Sequence, residues 1–236
     1  MERSIKEDTS CYASSAQREL LGHIGDIEVI AREFFITGGT TLSVFYLHHR
    51  TSDDLDFFSL EFSDLRSIDI ILKRIFKRDL TLIQSSQEFL SYFINNVKVD
   101  FVFDPLSSHG KRARHQISSG QRIQIDTIEN IASNKLSAIT SRYEPKDLVD
   151  FYFISEIVWK GTEKENFLKC YDEARKKEAL LDDPAMAAYQ FEQLLGRVLA
   201  EKEDALPTMK KKIDWSLLER LCRNFIDVMY RMQKWS

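Results

Sequence analysis

The amino-acid sequence predicts an α/β (α+β) chain: a mixed-sheet core over residues 1–125 and a C-terminal helical region over residues 126–236. Three observations predict it. Strand-like and helix-like stretches alternate up to about residue 125. Two of the strand-like runs are joined by Asn95-Asn96, a hairpin signal because Asn tolerates positive φ. From residue 127 onward, apolar residues recur at the helical period of about 3.6 almost without interruption.

The elements follow in order. Residues 34–37 form a short apolar strand that ends at Gly38-Gly39. Residues 40–48 place Leu42, Phe45 and Tyr46 at helical spacing. Residues 55–60 are a Phe-rich strand. Residues 65–78 are an amphipathic helix with Ile68, Ile71, Leu72 and Ile75 on one side. Strands are expected over 81–84, 89–94 and 97–103. Helices are expected over 127–141, 146–157, 164–177, 186–200 and 215–233. Pro145 and Pro184 fall where first helical turns begin, and Pro207 marks a further break. The last helix carries Trp215, Leu217, Leu218, Leu221, Phe225, Val228 and Met229 as a stripe that reads as core. Nothing between the halves reads as a flexible linker, so the helical region is expected to pack on the core and share a cleft with it.

With 236 residues, the chain has room for one large domain or two small ones. A composition 43% hydrophobic and 30% charged excludes a disordered chain. No apolar run approaches the roughly 20 residues that span a bilayer. The start, Met1-Glu2-Arg3-Ser4-Ile5-Lys6-Glu7-Asp8, lacks a signal-peptide core, so a cytoplasmic location with no membrane partner is expected. Cys11, Cys170 and Cys222 are far apart with no CxxC spacing, which points to reduced thiols rather than zinc or a disulfide framework. The net charge of −4 argues against indiscriminate nucleic-acid binding. Basic clusters stand at Lys111-Arg112-Ala113-Arg114-His115, at Lys73-Arg74 with Lys77-Arg78, and at Lys210-Lys211-Lys212. Each taken alone reads as a solvated loop or helix face, and the first, in a loop flanked by Ser and Gly, could equally contact a polyanionic acceptor.

The chemistry gathers at four places. Gly38-Gly39, without Cβ atoms, lets backbone N–H groups approach a phosphate, and the helix opening at Thr40-Thr41 points its positive end the same way. On the next strand Asp54 and Asp56, two residues apart, project from one face while Leu55 points to the core; Asp53 is out of phase and reads as a turn residue. Two carboxylates side by side call for a cation between them, and magnesium takes such oxygen ligands together with substrate phosphates. Asp100 lies opposite in phase to Val97, Val99, Phe101 and Phe103. A strand beside Asp54 and Asp56 would make it the third carboxylate of a two-metal phosphoryl-transfer site. Asp104, before Pro105, suits a turn. Lys135 and Arg142 share a helix face, with Lys135 set to reach a triphosphate as a point charge. Asp147 and Asp150 share a face of the following helix, where Asp150 is as well explained by compensation of the helix dipole. His48-His49 face different ways with no third ligand spaced to join them, so packing or a helix C-terminus contact is expected.

Taken together, these residues resemble the nucleotidyltransferase superfamily, and more narrowly the AbiEii/AbiGii toxin family. The carrying segments are Thr37-Gly38-Gly39-Thr40-Thr41-Leu42, Arg50-Thr51-Ser52-Asp53-Asp54-Leu55-Asp56-Phe57, Val99-Asp100-Phe101, and Lys135-Leu136 with Arg142 and Pro145-Lys146-Asp147-Leu148-Val149-Asp150. The resemblance covers roughly residues 20–155. It implies a minimal nucleotidyltransferase fold and metal-dependent transfer of a nucleoside monophosphate from an NTP. It also implies the toxin role in a bacterial toxin–antitoxin or phage-defence system, with a separate antitoxin as partner. Relatives are associated with GTP binding or with adding nucleotides to RNA such as tRNA. Carried over, Gly38, Gly39 and Thr40 hold phosphates, Arg50 and Ser52 support the nucleotide, and Asp54, Asp56 and Asp100 bind two Mg2+ ions. Lys135 and Asp147 form the family's later motif, counted among the catalytic set. The second turn position is Gly39 rather than Ser, which removes a hydroxyl that some relatives direct at the phosphates. A small-molecule acceptor of aminoglycoside type, a protein acceptor, and a non-catalytic nucleotide-binding module remain the alternatives.

Overall fold

The computed structural model describes residues 5–107 and 110–232, so the chain start at residues 1–4 and the predicted helix end at Gln233 lie outside it. The chain divides into two compact units, Met1–Thr127 and Ile128–Ser236. In the first, helices α1 (Ser15–Gly25) and α2 (Glu28–Glu33) precede strand β1 (Phe35–Thr37). Ser14 caps α1 by accepting from the Gln17 N–H at 3.1 Å. Helix α3 (Gly38–Thr41) runs on as a π-helical turn, Leu42–Leu47, and ends at His48 in the left-handed region, φ 51°. It starts two residues before the predicted helix because Gly38 makes the turn itself.

Strand β2 (Leu55–Ser59) leads to helix α4 (Leu65–Phe76), which Asp64 caps and which stops where Lys77 takes φ 48°. Strands β3 (Leu80–Ser85), β4 (Phe89–Ile94) and β5 (Val97–Phe103) follow, with Asn95 and Asn96 both at positive φ in the predicted hairpin. The sequence reading had no place for α1 or α2, nor for the short strands β6 (Arg114–Gln116) and β7 (Arg122–Ile125).

The seven strands among the described residues form one mixed sheet in the order β3-β4-β5-β2-β1-β7-β6. β2 pairs antiparallel with β1 and parallel with β5, and β1 pairs parallel with β7. Period-two alternation assigns the faces. Leu55, Phe57, Val99 and Phe101 enter the core, where Phe57 stacks on Phe101 at 5.3 Å and Phe34 meets Phe101 edge-on at 5.6 Å. Asp56, Lys98 and Asp100 are left on the other face.

The second unit consists of α5 (Ile128–Ser141), α6 (Pro145–Phe153, continued by a π-helical turn to Val158), α7 (Glu163–Arg175), α8 (Pro184–Glu201) and α9 (Trp215–Met232). Pro145 and Pro184 sit at first turns as predicted, and Asp183 caps α8. Phe151 centres the core, with Trp159, Phe191 and Phe225 edge-on around it, and Phe167 stacks on Phe225 at 4.5 Å. Leu218, Leu221, Phe225 and Met229 bury the stripe of α9. Cys11, Cys170 and Cys222 are buried and free of disulfides. Among the described residues, no helix is long and apolar enough to cross a membrane.

Candidate active site

The turn after β1 is covered on both sides by polar side chains. Gly38 has φ 72°, and a Cβ there would overlap the Asp56 carboxylate. A Cβ on Gly39 would stand 2.5 Å from Arg50 Nη2 and 3.0 Å from Ser52 Oγ. The space of the missing side chain is thus filled by Arg50 and Ser52, both buried. Arg50 Nη1 donates to the Thr51 carbonyl at 2.9 Å, and the Ser52 N–H donates to the Cys11 carbonyl at 3.2 Å.

Thr40 departs from its expected role. It is fully buried, and its hydroxyl donates to the Asp54 carbonyl at 2.5 Å, so the side chain ties the helix to the Asp54 loop rather than offering itself to a phosphate. Gln17, from α1, donates to the same carbonyl at 3.2 Å. No signal in the sequence marks a lone Gln on an amphipathic helix for that task.

The carboxylates lie along two neighbouring strands. Asp56 is opposite Thr37 on one side and Asp100 on the other, the latter in parallel register. Asp54 immediately precedes β2 and is half-buried, whereas Asp53 is exposed, as expected of a turn residue. Asp100 is buried; Ser91 Oγ donates to its Oδ1 at 2.5 Å and Lys98 Nζ to its Oδ2 at 2.6 Å. Burial works against the Lys98 ammonium. The hydrogen bond and charge of Asp100, with the further charges of Asp54 and Asp56, outweigh it and hold Lys98 above the usual lysine range. The charges of all three carboxylates reach Lys98, and an all-oxygen donor set of this kind fits magnesium. Asp104 is a turn residue, accepting from the Leu106 N–H and from Ser107 Oγ.

The basic cluster at residues 111–115 is partly internal, which neither reading of it anticipated. Arg112 is buried against Asp126, 2.7 Å from its Oδ1, and lies 3.7 Å over the Phe35 ring. Asp126 Oδ2 accepts from the Thr37 hydroxyl at 2.6 Å, and its N–H donates to the Ile36 carbonyl. This brace fixes the end of β1 just before the glycine turn. Lys73, Arg74, Lys77, Arg78 and Lys210, Lys211, Lys212 are exposed. A cavity of about 640 Å³ beside the start of α4, lined by Ser63, Arg66, Asp69 and Ser86 among others, shares no residue with the carboxylate site.

In the helical unit, Lys135 Nζ lies 2.6 Å from both Asp147 Oδ1 and Asp150 Oδ2, with all three side chains buried. Arg142, half-exposed, grips Asp147 through Nε at 2.7 Å and Nη2 at 2.8 Å. Asp150 is therefore an ion-pair partner, not a solvent-side compensator of the helix dipole. Lys135 likewise is no lone point charge. Burial alone would raise the Asp147 carboxyl, but the charges and hydrogen bonds of Lys135 and Arg142 hold it below the usual carboxylate range.

The family model described as "Nucleotidyl transferase AbiEii toxin, Type IV TA system" matches residues 25–223. No curated protein matches the sequence. Among solved structures, a putative nucleotidyltransferase from Helicobacter pylori superposes with a TM-score of 0.52 at 16% identity, covering 94% of this chain and 99% of that one. JHP933, also from Helicobacter pylori, gives a TM-score of 0.52 at 15% identity, covering 97% of each chain. At such identities the likeness is one of fold.

Proposed function

This chain belongs to the AbiEii nucleotidyltransferase toxin family of type IV toxin–antitoxin systems, and from that premise we propose that it transfers a nucleoside monophosphate from an NTP to a hydroxyl of an RNA acceptor, tRNA foremost. The transfer would serve as the toxic activity of a phage-defence system in the bacterial cytoplasm, restrained by a cognate antitoxin. The observation that supports this reading above all is the setting of Asp56. It is placed between Asp100, its parallel-register neighbour, and the bare backbone of Gly38.

In this reading the triphosphate lies on the Gly38-Gly39 backbone, with Arg50 and Ser52 supporting it from the side that a larger residue at position 39 would block. The acceptor hydroxyl attacks the α-phosphorus in line; the new P–O bond forms as the bond to pyrophosphate breaks. Asp100, held by Ser91, is assigned the proton of the acceptor hydroxyl. Asp54, Asp56 and Asp100 would hold two Mg2+ ions, which when bound supply charge neutralisation to the attacking and leaving oxygens. Lys135 and Asp147 are assigned the family's later motif, with Arg142 and Asp150 keeping them in place. The exposed basic clusters at residues 73–78 and 210–212 favour a polyanionic acceptor.

The test incubates the full chain with each α-labelled NTP, magnesium and total tRNA, alongside Asp56→Asn. Label entering RNA only with intact Asp56 is the expected result and names the nucleotide. Full transfer by Asp56→Asn would overturn the assignment of the carboxylates. Label reaching only a small molecule or a protein would replace the acceptor, and NTP binding without product would make the fold a binding module.

A further inference from the structure

Three side chains of different chemistry converge outside the site described above. Asp8, Cys11 and His48 each present one ligand-type atom, and these atoms lie within 4.8 Å of one another. The histidine lies 37 positions after the cysteine, so neither spacing nor periodicity announces the group. The fold assembles it by backbone bonds. The Asp8 N–H donates to the Val44 carbonyl at 2.8 Å, and the Ser52 N–H to the Cys11 carbonyl at 3.2 Å, with a parallel bridge between Tyr12 and Ser52 beside it. The short turn Thr9–Cys11 is thereby laid against the end of the π-helical turn, where His48 terminates the helix.

Two details point to a ligand rather than to packing. His48 Nδ1 is buried and has no hydrogen-bond partner, a cost that a buried polar atom ordinarily avoids. Asp8 is already oriented: its Oδ1 accepts from the Ser10 N–H at 3.0 Å and from Ser10 Oγ at 2.6 Å, the kind of second contact that aims a metal-binding carboxylate. A thiol, an imidazole and a carboxylate form a mixed S/N/O set that suits zinc, whereas magnesium takes oxygen alone.

We propose that Asp8, Cys11 and His48 form a zinc site that staples residues 8–12 to the segment carrying Arg50 and Ser52. Metal–ligand bonds of about 2.0–2.3 Å put tetrahedral ligands about 3.3–3.8 Å apart, so the three atoms must draw in by about an ångström. Binding converts the Cys11 thiol to a thiolate and releases its proton to solvent, and the fourth position is left to water. The site is chemically distinct from the magnesium carboxylates and stands independently of the transferase reading.

The test strips the full-length protein with a chelator, removes the chelator by gel filtration, and titrates with Co2+ and then Zn2+. The expected result is a near-ultraviolet thiolate-to-cobalt charge-transfer band that saturates at about one ion per chain and is abolished by zinc. It disappears in Cys11→Ser, needs at least about tenfold more cobalt in His48→Gln, and is unchanged in Asp56→Asn. Absence of the band in the unmodified chain overturns the proposal. So does a band that survives Cys11→Ser, which would move the metal to Cys170 or Cys222. Should Cys11→Ser fail to fold, His48→Gln decides: cobalt affinity equal to that of the unmodified chain overturns the site. No nucleotide enters the measurement, so its failure is separable from failure of the transferase assignment.

Discussion

Each unit of this protein holds a cluster of aspartates around a lysine, and the two clusters are built to opposite ends. In the α/β unit, the charges of Asp54, Asp56 and Asp100 act on Lys98, which is about one-third exposed. In the helical unit, Asp147 and Asp150 face Lys135 and Arg142, and both carboxylates are buried. The second set is closed off by burial; the first is open, with Asp54 and Asp56 only half-buried. Carboxylates left accessible beside a bare glycine turn suit the proposed substrate and its cations, whereas a set buried in a helix pair holds the architecture together. The difference teaches that carboxylate count alone does not mark a candidate reactive group, and that accessibility separates the two sets.

The sharpest way to break the comparison is to neutralise one aspartate in each unit. Asp56→Asn should lower transfer by about a thousandfold, equivalent to about 4 kcal/mol of transition-state stabilisation, and leave the urea midpoint essentially unchanged. Asp147→Asn should do the reverse first, with a loss of about 3 kcal/mol of stability because Lys135 and Arg142 lose a shared buried partner. Urea unfolding and label transfer measured on both variants check the pair of outcomes. Loss of stability in Asp56→Asn with retained activity would invert the assignment.

The pH dependence sharpens the same contrast. The Asp147 carboxyl is depressed in the folded state, so its contribution is present above the unfolded value of about 3.9 and lost as pH falls through the lower folded value. The stability gap between the unmodified chain and Asp147→Asn should therefore be constant above about pH 5 and close below about pH 4. Urea midpoints across that range read it directly. A gap that widens on acidification would mean that the Asp147 carboxyl is raised, not lowered.

How far these clusters were legible in the sequence follows from their geometry. β5 was read to its ends because Val97, Val99 and Phe101 alternate strictly with Lys98 and Asp100, and because Asn95-Asn96 closes the hairpin before it. The same period of two predicts Asp54 and Asp56 on one face; Asp54 itself lies just before β2, and the charges of both act on Lys98. What sequence did not disclose depends on partners distant in the chain. β6 and β7 are three and four residues long and lie among basic and polar residues, too short to show alternation. Asp126, at the end of β7, was consequently unseen, and with it the burial of Arg112. α1 carries buried Gln17, Gly22 and Gly25 in place of a clean apolar stripe. A Cβ on Gly22 would meet Ser119 Oγ at 2.8 Å and one on Gly25 would meet Ile123 Cγ2 at 2.9 Å, so contacts made elsewhere set those residues. The commitment of the Thr40 hydroxyl to Asp54 was hidden for the same reason.

A smaller effect tests space rather than charge. Gly39→Ala places a methyl group 2.5 Å from Arg50 Nη2, and the flexible end of Arg50 must give way. NTP affinity should fall about tenfold, or about 1.4 kcal/mol, with the fold retained. Titration of labelled NTP by equilibrium dialysis checks it. Unchanged affinity would take Arg50 and the Gly39 backbone out of the nucleotide site.

The smallest expected effect addresses the lysine inside the open cluster. Lys98 neutralises part of the charge that Asp54, Asp56 and Asp100 present, and its ammonium sits 2.6 Å from the Asp100 oxygen. In the proposed mechanism magnesium would compete with it. A partly exposed pair of this kind contributes at most about 1 kcal/mol, so Lys98→Ala should lower the magnesium concentration for half-maximal transfer by about threefold to fivefold. The rate at saturating magnesium should stay within about twofold, since a counter-charge that leaves before the reaction stabilises no transition state. In the closed cluster the corresponding change, Lys135→Met, strands two buried carboxylates and should destabilise the unit by about 3–5 kcal/mol without altering the magnesium requirement. A Lys98→Ala variant whose magnesium dependence is unmoved while its maximal rate collapses would place Lys98 on the triphosphate instead. The open cluster would then be no longer a site waiting for cations but one that already carries part of its own.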